Sequence, residues 1–440
     1  MDKRTVKEII RDFHLKELPP LTERSGDFSV PQGKIRSLIG VRRSGKTFLF
    51  YQLIKNLLKT GIRKEQILYI NFEDERLSPM TKEDLSLIYE VYLELYPHIR
   101  QQKVYLFLDE IQNVSGWEKF VRRLHDNENV EISVTGSSSR LLSKELATAL
   151  RGRTLSFEVF PFSFEEMLNF YNISPDIYSS EGKAYLVNKF EEYLYWGGFP
   201  EILKVDQNFK IMILQDYLNL VLYKDLIDRY QIRNQALLKY LLKFLLSNNA
   251  NPFSINKFFM DVRSQGFKVS KDSIFNYLAY LEDAFWMSLV PIYSESIRKQ
   301  QVNYRKIYVL DNGLVSANRS TLYFNSGRLL ESLVFQQLRR RFNLNQIFYY
   351  KTRKNGEVDF LVLNEYKGKM GLIQVAETIS EPATQQRELQ ALYTAMEELD
   401  LSESLIITAH EYATFTQSHL KIQAKPFWDW ALSKDLLSGL

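Results

Sequence analysis

The segment that most constrains the fold runs from residue 34 to residue 61 and reads KIRSLIGVRRSGKTFLFYQLIKNLLKTG. It starts with a short apolar run, passes through a turn that begins and ends with glycine, and continues with Leu49, Leu53 and Leu57. Leucines four residues apart lie on one face of a helix, so this order predicts a strand, a turn and a helix. The turn matches the pattern GxxxxGK(S/T) in the context that this pattern requires. We therefore expect a phosphate-binding loop between a buried strand and a helix.

The residues of this turn are the candidate nucleotide-binding residues. They are Gly40, Val41, Arg42, Arg43, Ser44, Gly45, Lys46 and Thr47. Such a loop directs successive backbone N–H groups at phosphates, and the positive end of the following helix adds to the attraction. Lys46 is expected to reach the β and γ phosphates, and the Thr47 hydroxyl to bind Mg²⁺. The pattern predicts ATP and Mg²⁺ as ligands, and a glycine turn before a core helix is the alternative.

An acidic pair follows the apolar run VYLFL at the end of a later strand. Asp109 is predicted to hold the Mg²⁺ through water, and Glu110 to orient and deprotonate the attacking water. Acidic residues are also common where a strand meets solvent, and this is the alternative interpretation. The phosphate-binding loop earlier in the chain favours the catalytic interpretation of Asp109 and Glu110.

Hydroxyl groups and two arginines complete the candidate catalytic set. The segment SVTGSSSR ends the next strand, where Thr135 or Ser137 is predicted to bond the water or the γ phosphate, or else to cap the following helix. Arg151 and Arg153 follow that helix, in the position from which an arginine finger reaches the nucleotide of a neighbouring subunit. A solvated surface pair is the alternative for the two arginines.

Composition excludes several other chemistries. The chain has no cysteine, which excludes disulfides and thiolate sites, and its five histidines lack the spacing of a zinc site. The 57 basic and 53 acidic residues leave a net charge of +4, so any contact with nucleic acid must be local. No segment has the length of a membrane span or the apolar core of a signal peptide. A cytoplasmic protein without a membrane partner is expected.

The middle of the chain predicts a helix-turn-helix. A short helix and a turn at Gly266 precede a second helix whose inward face carries four apolar residues, Ile274, Tyr277, Leu278 and Leu281. Residues 296–310 then include four basic residues and no acidic one, namely Arg298, Lys299, Arg305 and Lys306. These four are the candidate phosphate contacts of a DNA-binding module. A module that contacts protein is the alternative.

Two strands joined by a turn are predicted near the end of the chain, at EVDFLVL and GLIQVA. Metal-dependent nucleases of the restriction-endonuclease type carry an acid on the first such strand, and an acid and a lysine two residues apart on the second. Glu357 and Asp359 share one face of the first strand, but the second strand carries Gln374 and Ala376 at the acid and lysine positions. Glu331, in the helix ESLVFQQLRRRF, is a further candidate acid.

This substitution pattern predicts a degenerate nuclease site. Metal-assisted phosphoryl transfer needs several carboxylates to hold the ions and usually a lysine to polarise the water. Gln374 is neutral, and Ala376 offers no polar group. We therefore expect no DNA cleavage unless Lys351 or Lys354 acts from another position.

With these residues in view, the chain resembles the bacterial and archaeal AAA+ ATPases that carry a C-terminal domain of unknown function related to restriction endonucleases. The resemblance rests on segments spread over nearly the whole chain, namely IGVRRSGKT, YINFEDERL, LDEIQNVSGWEKFVRRLHD, TGSSSRLLS, LRGRTLSFEVFPFSFEEML, YWGGFPE, KIYVLDNGL and GEVDF. It implies an ATP-hydrolysing sheet domain, a helical lid, a winged-helix module and a nuclease-like end. It also implies that nucleotide-bound subunits pack against each other, with Arg151 or Arg153 as the finger. The segment GGFP at 197–200 resembles an element by which a lid senses nucleotide, and a turn between helices is the alternative.

The predicted fold class is α/β, with a P-loop AAA+ parallel-sheet domain, a helical lid, a winged-helix module and a C-terminal restriction-endonuclease-like α/β domain. At 440 residues the chain has room for about three domains. The predicted bounds are 1–30 for an N-terminal helical segment, 31–165 for the ATPase core, 166–233 for the lid or linker, 234–320 for the winged-helix module and 321–440 for the nuclease-like domain.

The expected function is Mg²⁺-dependent ATP hydrolysis that moves the winged-helix and nuclease-like platform on DNA. Self-association through the ATPase domain is expected with it. One alternative is an ATP-gated signalling switch with a protein partner. A second is an ATP-regulated nuclease.

Overall fold

The structure is a computed structural model that describes residues 2–136, 150, 152–296, 298, 300, 304–318, 325–364, 368–435 and 437. Its contacts divide the chain into two compact units. The first consists of residues 1–160 with residues 283–285, and the second of residues 161–282 with residues 286–440. Each unit has its own apolar core.

The first unit is built on a five-stranded sheet. Its strands are β1 (Ile35–Ile39), β2 (Ile67–Asn71), β3 (Val104–Asp109), β4 (Val130–Gly136) and β5 (Thr154–Glu158). They lie in the order β2-β3-β4-β1-β5, and every neighbouring pair is parallel. Nearly every residue of the first three strands is buried, as expected where helices cover both faces of a sheet. The prediction of a parallel α/β sheet is confirmed.

Helices connect these strands, and a further helix precedes them. They are α1 (Lys3–Leu15), α2 (Lys46–Lys59), α3 (Lys82–Leu95) and α4 (Trp117–Asn127). The Asp2 side chain caps α1 by accepting from the Arg4 N–H at 3.2 Å. Val6 and Ile10 of α1 belong to the same buried cluster as Leu85 of α3. The N-terminal segment is therefore part of the core of this unit.

The second unit begins with helices, where the sequence predicts a lid. They are α5 (Phe164–Phe170), α6 (Ser180–Trp196), α7 (Gln207–Leu220) and α8 (Gln235–Ser247), and α7 continues as a π-helical segment, Val221–Asp228. A capping box starts α5, because the Ser163 hydroxyl accepts from the Glu166 N–H and the Glu166 carboxylate accepts from the Ser163 N–H.

Two helices and a small antiparallel sheet follow. The helices are α9 (Ile255–Ser264) and α10 (Lys271–Asp283), and the strands are β6 (Pro252–Phe253), β7 (Met287–Val290) and β8 (Arg305–Val309), in the order β6-β8-β7. The predicted inward face of the second helix is confirmed, since Ile274, Tyr277, Leu278 and Leu281 are all buried. Lys271, Asp272 and Asn276 of the same helix are exposed.

The last part of the second unit contains a six-stranded mixed sheet with helices. The strands are β9 (Ile347–Lys351), β10 (Glu357–Asn364), β11 (Lys369–Val375), β12 (Glu403–Thr408), β13 (Ala413–Gln417) and β14 (Leu420–Pro426), in the order β13-β14-β12-β11-β10-β9. The helices are α11 (Asn312–Ala317), α12 (Ser326–Arg339), α13 (Pro382–Leu399) and α14 (Phe427–Ala431). The segments QIFYYKT, EVDFLVL, GLIQVA and SLIIT predict four of these strands from the sequence, which are present as β9 to β12, and β13 and β14 are additional.

The predicted domain bounds compare with the two units as follows. The end of the first unit's main segment at residue 160 lies close to the predicted end of the ATPase core at residue 165. The segments predicted as lid, winged helix and nuclease-like domain lie together in one compact unit, so their separation into three domains stays a prediction. Among the described residues, every helix is too short or too polar for a membrane span.

Candidate functional site

The turn between β1 and α2 needs glycine at both ends. Gly40 has φ = 142°, and a Cβ atom there would lie 2.5 Å from the Val159 carbonyl oxygen. No larger residue fits at that distance, so β1 continues into the loop directly beside the chain that follows β5. Gly45 adopts a left-handed conformation with φ = 96° immediately before α2. The loop is thus a tight turn that ends on a helix N-terminus.

Lys46 is buried within this loop. Its Nζ donates to the carbonyl oxygens of Gly40 at 3.2 Å and Val41 at 3.0 Å, and lies 3.6 Å from Glu110 Oε1. The ammonium is therefore held between the backbone of the turn and the acidic end of β3. The two carbonyl oxygens and the Glu110 carboxylate offset the positive charge of Lys46, and the ammonium stays beside the phosphate-binding loop.

Asp109 is the most densely bonded carboxylate of the first unit's site. It accepts hydrogen bonds from three hydroxyl groups, those of Thr47 at 2.7 Å, Tyr69 at 3.1 Å, and Thr135. Burial raises the pKa of Asp109, and the bonds from Thr135 and Thr47 act in the opposite direction. Burial also raises the pKa of Tyr69, so its hydroxyl stays a donor. Residues from β2, β3, β4 and the start of α2, which are far apart in the sequence, therefore meet at the Asp109 carboxylate.

Glu110 lies in a strained conformation at the same edge of the sheet. Its φ is 52°, in the left-handed region that residues with side chains seldom adopt. Its N–H donates to the Thr135 hydroxyl at 2.8 Å, and its carboxylate accepts from the Gln112 amide. Thr135 thus bonds both members of the acidic pair, which gives it a positioning role beside the predicted contact with water or phosphate. Ser137 lies outside the described residues.

Arg24 has a structural role that the sequence motifs do not predict. It is 8% exposed, and its guanidinium donates to the carbonyl oxygens of Ser44 at 3.3 Å and of Phe160. The Arg24 N–H donates to Gln52 Oε1 of α2 at 2.7 Å, and Gln52 Nε2 donates to the Arg24 carbonyl oxygen at 3.3 Å. Arg24 therefore ties the segment before β1 to the phosphate-binding loop. No motif in the sequence singles it out, because the contact joins residues far apart in the chain.

The remaining arginines of the predicted set lie near the surface. Arg42 forms an ion pair with Glu73 at 3.2 Å. Arg153 forms an ion pair with Asp126 at 2.9 Å, and both side chains are about one-third exposed. Arg151 lies outside the described residues. The structure thus places Arg153 on the surface of the first unit without contact to the acidic pair.

In the second unit, the glycine pair of the GGFP segment packs against Asp311. A Cβ atom at Gly197 would lie 1.9 Å from Asp311 Oδ1, and one at Gly198 would lie 2.0 Å from the Phe162 carbonyl oxygen. The Asp311 carboxylate accepts from the N–H groups of Gly198 and Gly313, each at 2.8 Å. Close packing within this unit accounts for both glycines, in line with the alternative of a turn between helices.

A second cluster of charged groups surrounds Lys306. Its Nζ contacts three carboxylates, Asp359 Oδ1 at 2.8 Å, Glu357 Oε1 at 2.9 Å and Glu331 Oε1 at 3.0 Å. Lys306 is 2% exposed. The prediction that Lys306 contacts nucleic acid is wrong, because β8 turns this side chain into the interior. Glu331, the further candidate acid, lies with Glu357 and Asp359 around Lys306.

The other predicted nuclease-like residues lie around this cluster. Asp359 also accepts from the Val375 N–H at 3.0 Å, and its own N–H donates to Gln374 Oε1 at 3.1 Å. The Gln374 amide donates in turn to Glu388 of α13 at 2.5 Å. Ala376 is buried in an apolar cluster.

The two lysines considered for a relocated role are exposed. Lys351 Nζ lies 3.7 Å from Glu357 Oε2 at the edge of the cluster. Lys354 has no described contact with it and lies in the turn before β10. The lysine at the centre is Lys306, which the sequence pattern assigns to a basic surface. The sequence contains one signal of this position. Lys306 and Tyr308 lie two residues apart on β8 and therefore share one face of the strand, so the aromatic Tyr308 indicates that Lys306 faces the interior.

Burial and charge shape the protonation of this cluster. Burial, reinforced by the neighbouring Asp359 carboxylate, raises the pKa of Glu331 to about 7. Burial lowers the pKa of Lys306, but the surrounding carboxylates outweigh it, so the pKa lies well above the usual value of lysine. Lys306 is therefore a permanent cation. Within the described part of the chain, no three His, Cys, Asp or Glu residues are arranged to hold a metal ion.

Basic and aromatic side chains combine on the exposed side of α9 and α10. The Arg263 guanidinium and the Lys271 ammonium each lie 5.5 Å from the centre of the Phe259 ring. The Lys257 ammonium lies 5.6 Å from the ring of Tyr304. Of the predicted phosphate contacts, Arg298 is exposed and Arg305 is half-buried, whereas Lys299 lies outside the described residues. The basic surface thus differs in part from the one predicted.

Comparison with protein families gives matches to three family models. An AAA domain matches residues 32–168, the domain of unknown function DUF8612 matches residues 187–322, and the domain of unknown function DUF4143 matches residues 326–428. The first match spans the sheet of the first unit and the loop described above. The third match lies within the second unit, and the second match does so apart from residues 283–285.

Comparison with individual proteins gives relatives over most of the chain. The chain is 37% identical over 444 residues to the uncharacterized protein MJ1544 of Methanocaldococcus jannaschii, covering 98% of this chain and 96% of that protein. It is 33% identical over 308 residues to an uncharacterized protein of Haemophilus influenzae, covering 70% of this chain and 74% of that protein. Among solved structures, the ORC2 protein of Aeropyrum pernix matches with 12% identity and a TM-score of 0.40, covering 70% of this chain and 89% of that one.

Proposed function

The chain belongs to the family of AAA-domain proteins that includes MJ1544 of Methanocaldococcus jannaschii, and from this premise we propose that its first unit binds ATP with Mg²⁺ and hydrolyses it. The observation that carries the proposal is the convergence of Lys46, Thr47, Asp109 and Glu110 at one edge of the sheet. The loop N–H groups and the Lys46 ammonium suit the β and γ phosphates. Phosphate oxygens would then replace the carbonyl oxygens that Lys46 contacts in this structure.

The donor atoms present fit Mg²⁺, which takes oxygen ligands. Thr47 Oγ1 and Asp109 Oδ2 lie 2.7 Å apart at the start of α2, next to the loop. Mg²⁺ bound with ATP would neutralise charge on the phosphates. Tyr69 and Thr135 hold the Asp109 carboxylate in place through their hydroxyl groups.

Glu110 is the group we assign to the attacking water. Its carboxylate lies at the loop, 3.6 Å from Lys46 Nζ, so a carboxylate oxygen is available at the position where a water would face the γ phosphate. The Thr135 hydroxyl fixes the Glu110 backbone at its strained φ of 52°. Glu110 would orient the water and take its proton as the bond to the γ phosphorus forms.

Two substitutions separate binding from turnover. Lys46→Ala should abolish ATP binding because it removes the cation that neutralises the β and γ phosphates, whereas Glu110→Gln should keep binding and lose hydrolysis by about a hundredfold or more. Calorimetry would measure the affinity and phosphate release the rate. Lys59→Ala is the matched control, since it removes an exposed lysine from the same helix and should leave both quantities unchanged. Equal loss of binding in the Lys46 and Glu110 variants would contradict the assignment.

We further propose that the second unit binds DNA and that the nucleotide state of the first unit controls this binding. The supporting observation is the pair of basic groups that flank the Phe259 ring on the exposed side of α9 and α10. Cations attract phosphates, so DNA suits this surface in charge. Binding rather than cleavage is proposed, because Gln374 and Ala376 supply neither an acid nor a lysine.

Salt dependence tests the DNA proposal. Arg263→Ala combined with Lys271→Ala should weaken DNA binding and reduce the slope of log affinity against log salt by about 2, because two phosphates would no longer be neutralised by protein cations. Fluorescence anisotropy over a salt series would measure both. Lys183→Ala combined with Lys434→Ala removes two other lysines of the same unit and should change neither. Identical salt slopes in all variants would exclude this surface as the DNA-binding site. If the nucleotide controls DNA binding, the Glu110→Gln variant should bind DNA with different affinities in ATP and in ADP.

We also propose that the first unit self-associates and that Arg153 or Arg151 reaches the nucleotide of a neighbouring subunit. The support is the surface position of Arg153, where Asp126 holds its guanidinium at 2.9 Å and about one-third of the side chain is exposed. A surface guanidinium of this kind is able to exchange its carboxylate partner for a phosphate of another subunit. The ion pair with Asp126 would be given up at little cost, since exposed pairs contribute about 0–1 kcal/mol.

A further inference from the structure

The two oxygens of the Glu110 carboxylate have different partners. Oε1 lies 3.6 Å from Lys46 Nζ, and Oε2 accepts a hydrogen bond from the side-chain amide of Gln112. The Glu110 side chain is 11% exposed, so these contacts are made largely out of water. The carboxylate is therefore fixed at both of its oxygens.

Lys46 and Gln112 differ in how they would respond to a bound nucleotide. The Lys46 ammonium would turn to the β and γ phosphates, and Glu110 Oε1 would lose this neighbour. Gln112 carries no charge that the phosphates attract. It lies two residues after Glu110 in the short 3-10 helix Ile111–Asn113, which the bond from the Asn113 N–H to the Glu110 carbonyl oxygen closes at 3.2 Å. The amide would therefore stay on Oε2 while Oε1 becomes free.

The other end of the Gln112 amide indicates that this side chain is not there for packing. Gln112 Oε1 is buried, and within the described part of the chain no group donates to it. A buried acceptor without a donor destabilises the folded state, because it has given up its hydrogen bonds to water. Packing alone would therefore favour an apolar side chain here. The distinctive contact of Gln112 is the bond from its amide to Glu110.

We propose that Gln112 is the positioning residue of Glu110, and that its hold on Oε2 makes Oε1 the oxygen that takes the proton of the attacking water. This inference rests on the ATP hydrolysis proposed above. In that step the water oxygen bonds to the γ phosphorus, the proton passes to Glu110 Oε1, and the bond from the γ phosphorus to the bridging oxygen breaks to release ADP. A carboxylate held at one oxygen keeps the other aligned with the water, whereas a rotating one loses that alignment.

Two substitutions of Gln112 test this role. Gln112→Leu removes the amide and should lower kcat by about 10- to 100-fold while leaving the KM for ATP unchanged, because the phosphate-binding loop is untouched. Gln112→Glu keeps the shape of the side chain but replaces the donor with a second carboxylate, and it should lower kcat to a similar extent. Asn113→Ala is the matched control, since it removes the exposed amide of the next residue and should keep the native kcat.

Stability and rate should respond differently to Gln112→Leu. The substitution also removes a buried acceptor that lacks a donor, so its melting temperature should stay within about 2 °C of that of the native chain. A loss of kcat without a loss of stability supports positioning. A loss of kcat that is accompanied by a much lower melting temperature and a raised KM would instead show a structural role and overturn the inference.

A double variant separates action through Glu110 from a general effect. Gln112→Leu combined with Glu110→Gln should have the same residual rate as Glu110→Gln alone, because no base remains to be positioned. A further fall of the rate in the double variant, or a native kcat in Gln112→Leu, overturns the inference and leaves the proposed function intact. A native chain that does not hydrolyse ATP, or whose rate is unchanged by Glu110→Gln, overturns the proposed function and this inference with it.

Discussion

Asp311 accounts for the glycine at position 197 and binds the N–H of Gly198, and both lie more than a hundred residues before it in the chain. Its carboxylate accepts from the Gly198 and Gly313 N–H groups, and it lies where a side chain at Gly197 would be. Burial raises the pKa of Asp311 to about 6, although the two N–H groups act in the opposite direction. A buried carboxylate with two backbone donors is therefore both a packing element and a proton-binding group.

The raised pKa of Asp311 predicts a pH dependence of stability. The folded chain keeps this proton up to about pH 6, whereas the unfolded chain releases it near the ordinary pKa of 3.8. The folded state therefore binds more protons between these values, and the free energy of unfolding falls by about 2 kcal/mol as pH rises from 4 to 6. Asp311→Asn cannot titrate and should lack this decrease. Urea denaturation of both proteins over pH 4–7 measures the difference, and parallel profiles would contradict the prediction.

The sequence predicts where a residue lies most directly when the motif is local. Lys46 and Thr47 follow the glycine of the loop directly, so their position relative to α2 is set by a few backbone angles. Lys306 was misassigned because its surroundings come from β10 and α12, which lie later in the chain. In the sequence, Lys306 is one of four basic residues in a segment without acidic residues, and that local pattern predicts a basic surface. Only the fold decides which basic residue is turned inward.

At the scale of elements, the first sheet was predictable because its strands β2 and β3 are nearly continuous apolar runs. Strands covered on both faces carry this pattern, and the helices between them show four-residue spacing. The carboxyl ends of parallel strands meet at one edge. The end of β3 therefore lies beside the start of α2, which explains why the acidic pair and the loop could be assigned to one site in advance.

The second sheet was predicted less completely, and the reason lies in its edge. The strand β13 (Ala413–Gln417) is largely exposed and pairs only with β14 in the sheet order. In β14 (Leu420–Pro426), buried Leu420, Ile422 and Ala424 alternate with half-buried polar residues. That alternation was a usable signal of a strand with one buried face. The β13 segment has no comparable signal because little of it is buried.

At the scale of the whole molecule, the chain folds as two compact units although its sequence suggests more parts. Composition shifts and turn residues mark the predicted lid, winged helix and nuclease-like segments, but buried side chains connect them. Leu194 of α6, Tyr308 of β8 and Phe360 of β10 belong to one apolar cluster. Such contacts between distant segments are invisible to a reading of local patterns. Contacts between copies of the chain are equally invisible to local patterns, so self-association needs an experiment.

Arg153 allows a direct test of self-association. If its guanidinium acts on a neighbour's nucleotide, Arg153→Ala should lower the hydrolysis rate by about a thousandfold or more and leave ATP affinity unchanged. Asp126→Ala is the control, because it removes the same ion pair but keeps the guanidinium, and it should retain the rate. Mixing Arg153→Ala with Glu110→Gln should restore activity, since a mixed interface combines the native Glu110 of one subunit with the native Arg153 of the other. Full activity of Arg153→Ala, or a mixture without recovery, would show that Arg153 does not act across an interface.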